Sequence, residues 1–328
     1  MIITKTPFRV SFCGGGSDMA DFYREYGGCV LSTSINRYMY LTIHPYFDAN
    51  KTALKYSKNE IVDRILDIEH SIFRCVLNEK KLEGVEISST ADVPSGTGLG
   101  SSSAFTVGLL HTIYCYLGKY VSKGELAAEA CRVEIEKIGN PIGKQDQYAV
   151  AYGGLNFISF HQDDTVSVEP IIASAKTVKE LQNNLIMFYT GMTHNANEIL
   201  AEQKSNILKR DKISNLKEMC NLAKEMKHSL ENNQLDDFGR ILNEGWMRKK
   251  ELAGGITNYK INELYNIAME NGALGGKLLR AGGGGFLLFY CPQDKQEHLK
   301  VSLRLNPFDF KFEHGGSSVV YIGDKYWS

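Results

Sequence analysis

A glycine- and serine-rich turn between an apolar strand and an apolar helix constrains this chain most strongly. The segment Asp92–Ala104 reads DVPSGTGLGSSSA. Gly96, Gly98 and Gly100 leave the turn without side chains and permit positive φ angles. The backbone N–H groups of such a turn, together with the N-terminus of the helix that follows, can bind an anion, and serine hydroxyls can donate to phosphate oxygens. We therefore predict a phosphate site at this turn.

The turn belongs to neither of the two most familiar nucleotide-binding loops. No Lys-Ser or Lys-Thr pair follows its last glycine, as a P-loop requires. Ser101 stands where the dinucleotide fingerprint needs its third glycine. The segment Gly139–Lys144 has one residue too few between its glycines and is followed by Gln145, so it is not a P-loop either. The phosphate site is therefore of another kind.

Size and charge narrow the class of protein. The 328 residues predict about two domains, and 43% hydrophobic with 23% charged residues is typical of a globular protein. The 37 basic and 38 acidic residues give a formal net charge of −1, which argues against a dedicated nucleic-acid partner. We see no secretory signal or apolar stretch that predicts a membrane span. Seven scattered cysteines without a CxxC pair favour reduced thiols. We expect a cytoplasmic protein without a membrane partner.

Apolar periodicity predicts strands interleaved with helices. The predicted strands are Val30–Ile43, Val85–Ser89, Leu185–Tyr189 and Phe286–Tyr290. The predicted helices are Glu60–Asn78, Ser102–Leu117, Ser122–Ile138, Asn197–Glu231, Leu235–Lys250 and Ile261–Asn271. A closing hairpin is expected from Phe308–His314 and Ser317–Ile322. The pattern predicts an α+β fold of two lobes, residues 1–170 and 171–328, with a soft boundary near 165–182.

Two further glycine clusters complete a recognisable set. Pro7–Asp18 reads PFRVSFCGGGSD, and Gly275–Phe286 reads GGKLLRAGGGGF before an apolar strand. With Pro94–Ser102, which matches Pro-x-x-x-Gly-Leu-Gly-Ser-Ser, they resemble the three motifs of the GHMP kinase superfamily, in the same order. That superfamily includes galactokinase, homoserine kinase and mevalonate kinase. The resemblance implies a ribosomal-protein-S5-like N-terminal lobe, a ferredoxin-like C-terminal lobe, and a cleft for ATP and an acceptor.

The resemblance also implies roles for individual residues. Asp146 corresponds to the catalytic aspartate, and Arg9 to the basic residue beside the transferred phosphoryl group. Ser102 and Glu134 correspond to the ligands of Mg²⁺, with Glu136 as the competing glutamate. A different interpretation of Asp146 is the N-cap of a helix that starts at Gln147. The residues implied to bind ATP are Pro94, Gly96, Gly98, Leu99, Gly100, Ser101, Ser102 and Ser103.

Departures from the superfamily pattern indicate a charged acceptor. Galactokinase-like members have Gly-Glu-His-x-Asp in the first motif, where this chain has Gly14–Asp18 with glycines at the Glu and His positions. Losing that carboxylate removes like-charge repulsion against an anionic group. Arg280 in the third motif suits a phosphate through bidentate hydrogen bonds, and Lys144 adds charge. The predicted substrate-binding residues are Gly15, Gly16, Ser17, Asp18, Lys144, Arg280, Gly283 and Gly284.

Within the superfamily, these features resemble the branch that phosphorylates the anomeric C1 hydroxyl of D-glycero-D-manno-heptose 7-phosphate. This resemblance implies a small-molecule sugar phosphate as partner and a place in nucleotide-activated heptose synthesis for bacterial surface polysaccharide. His194 departs from the arginine expected in this branch. The alternatives are a kinase of another sugar, such as fucose or galactose, a non-catalytic sensor of ATP and sugar, and a decarboxylase with the same fold.

Overall fold

Eleven strands are formed by the residues that the structure, a computed structural model, describes. These residues are 1–192, 199, 201–202, 205–206, 209–280 and 282–323. The strands are β1 Ile2–Cys13, β2 Gly28–Pro45, β3 Thr52–Lys55, β4 Asn59–Val62, β5 Val85–Ala91, β6 Leu155–Phe160, β7 Val166–Pro170, β8 Leu185–Tyr189, β9 Gly275–Leu278, β10 Phe286–Tyr290 and β11 Ser318–Ile322.

Helices pack against these strands. They are α1 Ala20–Tyr26, α2 Ser71–Lys80, α3 Ser101–Tyr116, α4 Lys123–Cys131, α5 Gln145–Tyr152, α6 Ala175–Asn184, α7 Arg210–Glu231, α8 Leu235–Lys250, α9 Tyr259–Glu270 and α10 Gln296–Leu303. A π-helical segment, Arg132–Lys137, continues α4, and short 3₁₀ turns cover Ile65–Asp67 and Gln293–Lys295.

The larger sheet has eight strands and positions most of the site. Its main path runs β11-β1-β2-β5-β3-β4, and β6 joins it by pairing with β2 and β7. The long strand β2 pairs antiparallel with β1, β5 and β6. The β1–β2 register shifts between Pro7 and Phe8 and again between Ser11 and Cys13. Strand β1 ends at Cys13, within the first glycine cluster.

The smaller sheet has the order β8-β10-β9, and all its pairs are antiparallel. Strands β8 and β10 are continuous apolar runs that the sequence predicts, whereas β9 (Gly275–Leu278) was not predicted as a strand; β10 is buried throughout. The link from β9 to β10 is the third glycine cluster. The sheet therefore holds that cluster at the β9–β10 connection, whose described residues are buried.

Helix α3 fixes the distance between the phosphate turn and the larger sheet. It is buried on nearly all faces, as predicted, because it packs against β1 and β2. Gly108 allows this close approach, since a β-carbon there would lie 2.8 Å from Leu41 Cδ1 and 2.9 Å from Thr6 Oγ1. The N-terminus of α3, where the phosphate turn ends, is therefore held against the sheet.

Several elements match the predictions and two do not. The helix Leu235–Lys250 and the strands Leu185–Tyr189 and Phe286–Tyr290 are confirmed. The predicted helix Glu60–Asn78 is wrong in its first half, because Asn59–Val62 pairs with β3 as a strand. The predicted closing hairpin is also wrong, because β11 pairs with the start of β1 instead. In both cases an available sheet edge outweighs the local pattern.

Strand β11 returns the end of the chain to the larger sheet, next to β1. The division into residues 1–170 and 171–328 stays a prediction, and the second part contributes this strand to the first part's sheet. The predicted helix Asn197–Glu231 is described only in part, as α7 and scattered residues before it. Across the described residues, no helix combines the length and apolarity that crossing a bilayer requires.

Candidate active site

The phosphate turn has the backbone geometry that its sequence predicts. Gly96, Gly98 and Gly100 have φ angles of 74°, 94° and 76°, which residues other than glycine rarely adopt. Gly100 is the N-cap of α3, and no side chain among the described residues caps the helix there. The N–H groups of the first turn of α3 therefore point at the turn and are available to an anion.

The three glycine clusters meet in space. A β-carbon on Gly98 would lie 2.8 Å from the backbone nitrogen of Arg280, and one on Gly285 would lie 2.4 Å from Thr97 O. Arg9 belongs to the first cluster. A β-carbon on Gly100 would lie 3.1 Å from Arg9 Cγ, so a side chain at position 100 would crowd Arg9. The phosphate turn is therefore enclosed by the first and third clusters, as the resemblance implies.

Arg9 and Asp146 form a bidentate ion pair beside this turn. Arg9 Nε and Nη2 donate to Asp146 Oδ1 and Oδ2, each at 2.8 Å, and Arg9 Nη1 donates to Gly98 O at 2.6 Å. The side chain of Arg9 is 8% exposed and that of Asp146 25%, so the carboxylate is the more accessible partner. The fork of the guanidinium thus fixes a carboxylate next to the phosphate turn.

The N-cap interpretation of Asp146 is wrong. Helix α5 begins at Gln145, so Asp146 lies in its first turn, and its carboxylate bonds to Arg9. Each carboxylate oxygen has a second lone pair, so Asp146 can accept a further hydrogen bond from a hydroxyl group of a substrate. Its predicted catalytic role stays a prediction that this geometry permits.

Ser102 and Glu134 are in direct contact, 32 residues apart in the sequence. Ser102 Oγ donates to Glu134 Oε1 at 2.6 Å, and Gln147 Nε2 donates to Oε2 at 2.7 Å. Glu134 is fully buried, whereas the competing Glu136 is exposed. Burial raises the pKa of Glu134, and the bonds from Ser102 and Gln147 oppose that rise. Glu134 lies in the π-helical segment Arg132–Lys137 and faces inward.

These two residues suit Mg²⁺ as a ligand pair. Within the described part of the chain, no cluster of three or more His, Cys, Asp or Glu could hold a metal ion. Mg²⁺ at nucleotide sites is usually held by one or two carboxylates, phosphate oxygens and water. A buried carboxylate and a hydroxyl next to the phosphate turn supply oxygen donors of that kind. Ser102 and Glu134 therefore fit this ion, although its binding stays a prediction.

Asp18 ties the first glycine cluster to the start of α5. Its Oδ1 accepts from Gly16 N at 2.8 Å and its Oδ2 from Gln145 N at 3.1 Å. Burial raises the pKa of Asp18, and these backbone bonds oppose the rise. A β-carbon on Gly143 would lie 1.9 Å from Asp18 Oδ2, so glycine is required there. Asp18 thus positions the residues on either side of Asp146, and its predicted contact with sugar hydroxyls stays untested.

The neighbouring residues of this cluster have distinct places. Ser17 is fully buried; its Oγ donates to Gly14 O at 2.8 Å and accepts from Cys29 N at 3.1 Å. This hydroxyl is therefore committed to holding the loop on β2, which argues against its predicted contact with substrate. Gly15 faces Gln145, whose Nε2 lies 3.3 Å from the position of a β-carbon.

The two cations predicted for the acceptor phosphate have separate surroundings. Lys144 Nζ lies 3.4 Å from Asp164 Oδ1 and 4.8 Å from the centre of the Tyr23 ring. Arg280 lies over the phosphate turn, with Nη2 3.6 Å from the position of a β-carbon on Gly96. The structure therefore places Arg280 at the nucleotide side and Lys144 at a surface ion pair. Their predicted role stays untested, and His194 lies outside the described residues.

Two glycines of the third cluster also serve packing. A β-carbon on Gly284 would lie 2.4 Å from Met192 O, and Gly283 O accepts from Asn258 Nδ2 at 3.3 Å. These contacts hold the loop after β9 in place. Direct contact of Gly283 and Gly284 with substrate stays a prediction.

Sequence reasoning missed three polar residues near the site. Gln147 bonds Glu134, and Lys277 Nζ donates to Phe12 O at 2.9 Å from a buried position. Burial lowers the pKa of Lys277 well below its usual value. Lys249, at the end of α8, lies among the charges of the site. Gly245 within α8 was the available signal, because a glycine inside a helix often marks a close approach.

Comparison with known proteins identifies the class. The family model for the GHMP kinases N terminal domain matches residues 65–154, and the GHMP kinases C terminal model matches residues 226–306. The D-glycero-alpha-D-manno-heptose 7-phosphate kinase of Campylobacter jejuni is 30% identical, covering 92% of this chain and 93% of that protein. The chain belongs to the GHMP kinase family.

Solved structures agree with this assignment. A D-glycero-D-manno-heptose 1-phosphate kinase from Bacteroides thetaiotaomicron has a TM-score of 0.80 at 25% identity, covering 99% of this chain and all of that one. The galactokinase of Lactococcus lactis complexed with galactose has a TM-score of 0.75 at 16% identity, covering 98% and 95%, and so shows the fold alone. The two-lobed α+β GHMP kinase fold is confirmed. The protein is a sugar kinase of this family, a phosphotransferase with an alcohol group as acceptor and ATP as donor.

Proposed function

We propose that this enzyme transfers the γ-phosphoryl group of ATP to the C1 hydroxyl of D-glycero-D-manno-heptose 7-phosphate. The products are the 1,7-bisphosphate and ADP. The observation that carries the proposal is the Arg9–Asp146 pair, which holds a carboxylate beside a phosphate-binding turn. The name of the 30% identical relative supports the acceptor. The same proposal places the reaction in the cytoplasm, in the supply of activated heptose for surface polysaccharide.

In this proposal, the residues of the site have different roles in phosphoryl transfer. The N–H groups of the phosphate turn and α3 hold the phosphates in line with the acceptor. Asp146 accepts the proton of the C1 hydroxyl. At the same time the C1 oxygen forms a bond to the γ-phosphorus, and the bond between that phosphorus and ADP breaks. Arg9 keeps the carboxylate oriented and adds positive charge near the transferred group. Ser102 and Glu134 would hold Mg²⁺, which would supply positive charge to the phosphates.

A panel of acceptors tests the substrate. ADP release with Mg²⁺-ATP is measured for D-glycero-D-manno-heptose 7-phosphate, the corresponding 1-phosphate, sedoheptulose 7-phosphate, mannose 6-phosphate, galactose, fucose and mevalonate. We expect kcat/KM to be highest for the heptose 7-phosphate. A preference for the 1-phosphate or for a neutral sugar contradicts the proposed acceptor but leaves a sugar kinase. No turnover on any acceptor, with ATP still bound, favours the sensor.

Substituting Glu134 with glutamine tests the proposed metal site without using activity. The pKa of Glu134 is raised above 4.5 on folding, so the fold favours the neutral carboxyl. Stability from this group is therefore present at low pH and falls as pH rises through the folded-state pKa. Without divalent cations at neutral pH, we expect Glu134→Gln to melt about 2–4 °C higher than the wild type.

Two features of that comparison separate a metal ligand from a packing residue. The difference in melting temperature is expected to vanish below pH 4.5, where both side chains are neutral. Addition of Mg²⁺ with ADP is expected to stabilise the wild type strongly and the variant weakly. Glu136→Gln, at the exposed neighbouring glutamate, serves as the matched control. Equal stabilisation of Glu134→Gln and wild type by Mg²⁺-ADP contradicts the assignment.

A further inference from the structure

Lys249 is a cation at the C-terminal end of α8 that the proposed mechanism does not use. Gly245, one helical turn earlier, brings α8 against the end of β1, since a β-carbon there would lie 3.1 Å from Cys13 Sγ. Residues four apart share a helix face, so Lys249 extends from this contact toward the first glycine cluster. Among the described residues, its ammonium has no hydrogen-bonding or ion-pairing partner.

The charges around Lys249 locate it on one side of the site. The charged groups near its ammonium include Arg9, Asp18, Asp146 and Lys277, with Cys13 close by. Burial and then the charge of Arg9 lower the pKa of Lys249, while Asp18 and Asp146 oppose that change. Together with the packing of Gly245 on Cys13, these charges place Lys249 beside the first glycine cluster, near Asp18 and Asp146.

Lys249 is only partly exposed, and an ammonium in a cleft that no protein group pairs is open to an anion from a ligand. The neighbouring Lys277 does not offer the same capacity, because its ammonium donates to Phe12 O. The phosphates of ATP have their own donors at the phosphate turn and the N-terminus of α3. Lys249 is therefore available to bind an anionic group of the acceptor sugar.

The two cations predicted from the sequence are less well placed for that anion. Lys144 is drawn to Asp164, which also accepts from Tyr23 and Arg24. Arg280 faces Gly96 in the phosphate turn. The Lys144 ammonium is thus paired with Asp164, although the backbone N–H of Lys144 donates to Asp18 O at 3.2 Å.

We propose that Lys249 binds the phosphate group that the acceptor sugar already carries, and so determines the preference for sugar phosphates over neutral sugars. This inference rests on the proposed function and names a specificity residue for it. The ammonium supplies charge-assisted hydrogen bonds to the phosphate oxygens, and the absence of a carboxylate at Gly15 avoids like-charge repulsion of the anion. Lys249 takes no part in the proton transfer.

The test compares Lys249→Met with the wild type on a phosphorylated and an unphosphorylated acceptor, D-glycero-D-manno-heptose 7-phosphate and the free heptose. We expect KM for the 7-phosphate to rise roughly 30- to 100-fold, with kcat and KM for ATP within about threefold. On the free heptose, the variant and the wild type are expected to have equal kcat/KM. Lys249→Arg is expected to recover part of the affinity, and Lys250→Met, the next residue of α8, serves as the control.

The outcomes separate this inference from the proposed function. An equal loss on both acceptors, or a rise confined to KM for ATP, overturns the role of Lys249 while the heptose kinase stands. A wild type that phosphorylates only neutral sugars overturns both proposals. A titration of the 7-phosphate followed by calorimetry gives the same comparison without turnover, and equal affinity of the variant and the wild type also overturns the inference.

Discussion

Replacing Asp146 with asparagine is expected to lower kcat by about a thousandfold, within the range of positioned general bases. The carboxylate lies beside the phosphate turn and is 25% exposed, so it is open to the acceptor hydroxyl. Asparagine keeps the size of the side chain and one oxygen for Arg9, but it does not accept a proton at neutral pH. KM for ATP is expected to stay within about threefold, because the donors for ATP phosphates lie on the turn and α3.

The measurement is steady-state ADP release on the preferred acceptor, with thermal unfolding to show that the variant is folded. Asp163→Asn serves as the control, since Asp163 is a carboxylate on a surface turn that bonds only Thr165 in the described structure. A kcat for Asp146→Asn within tenfold of the wild type contradicts a base role and leaves Asp146 as an anchor for Arg9.

Replacing Arg9 with lysine is expected to lower kcat by about a hundredfold although the charge is kept. The guanidinium makes three hydrogen bonds at once, two to Asp146 and one to Gly98 O. A lysine ammonium is a compact charge without the planar fork, so it cannot hold both the carboxylate and the turn. Because the turn loosens as well, we also expect KM for ATP to rise several-fold.

Arg24→Lys is the matched control, because Arg24 pairs with Asp164 at an exposed site. A double variant of Arg9 and Asp146 gives a sharper test, since the two side chains form one unit. We expect the double variant to lose hardly more kcat than Asp146→Asn alone. Fully multiplicative losses contradict the claim that Arg9 acts through the position of Asp146.

The backbone of the phosphate turn and the start of α4 were predictable because a few neighbouring residues determine them. The alternating glycines of Gly96–Gly100 require positive φ angles, and the structure has them. The capping box of Ser122 and Glu125 starts α4 as expected. The pairing of Ser102 with Glu134 followed from the family resemblance. Glu134 and Glu136 are two residues apart and so lie on nearly opposite faces of the helix, and only the packed structure shows that Glu134 faces inward.

Features decided by distant partners were not predictable. Ile61 follows the helical spacing of Ile65 and Ile68, yet it lies in β4 and is 62% exposed, because β3 offers a partner. The end of the chain pairs with β1 rather than with its own neighbour, because the first residues of β1 present an open edge. Ser17 and Lys144 lie near the site in sequence, but Cys29 and Asp164 engage them.

Lys249 shows the same limit at the site itself. It lies more than 100 residues after Asp146, and only the packing of α8 on β1 brings it to the cleft. The glycine at position 245 marks a close approach, but the partner of that approach, Cys13, cannot be read from one sequence. Charge alone does not separate Lys249 from Lys250 beside it, whose ammonium lies 6.0 Å from the Trp246 ring centre.

Phosphorus NMR of the reaction product tests the central claim most directly. The enzyme is incubated with Mg²⁺-ATP and D-glycero-D-manno-heptose 7-phosphate, and the spectrum is recorded as ADP accumulates. Transfer to C1 predicts a new phosphate resonance coupled to the anomeric proton, in amounts equal to ADP, with the 7-phosphate resonance retained. ADP formation without that resonance, or no transfer to this sugar while a neutral sugar is phosphorylated, contradicts the account.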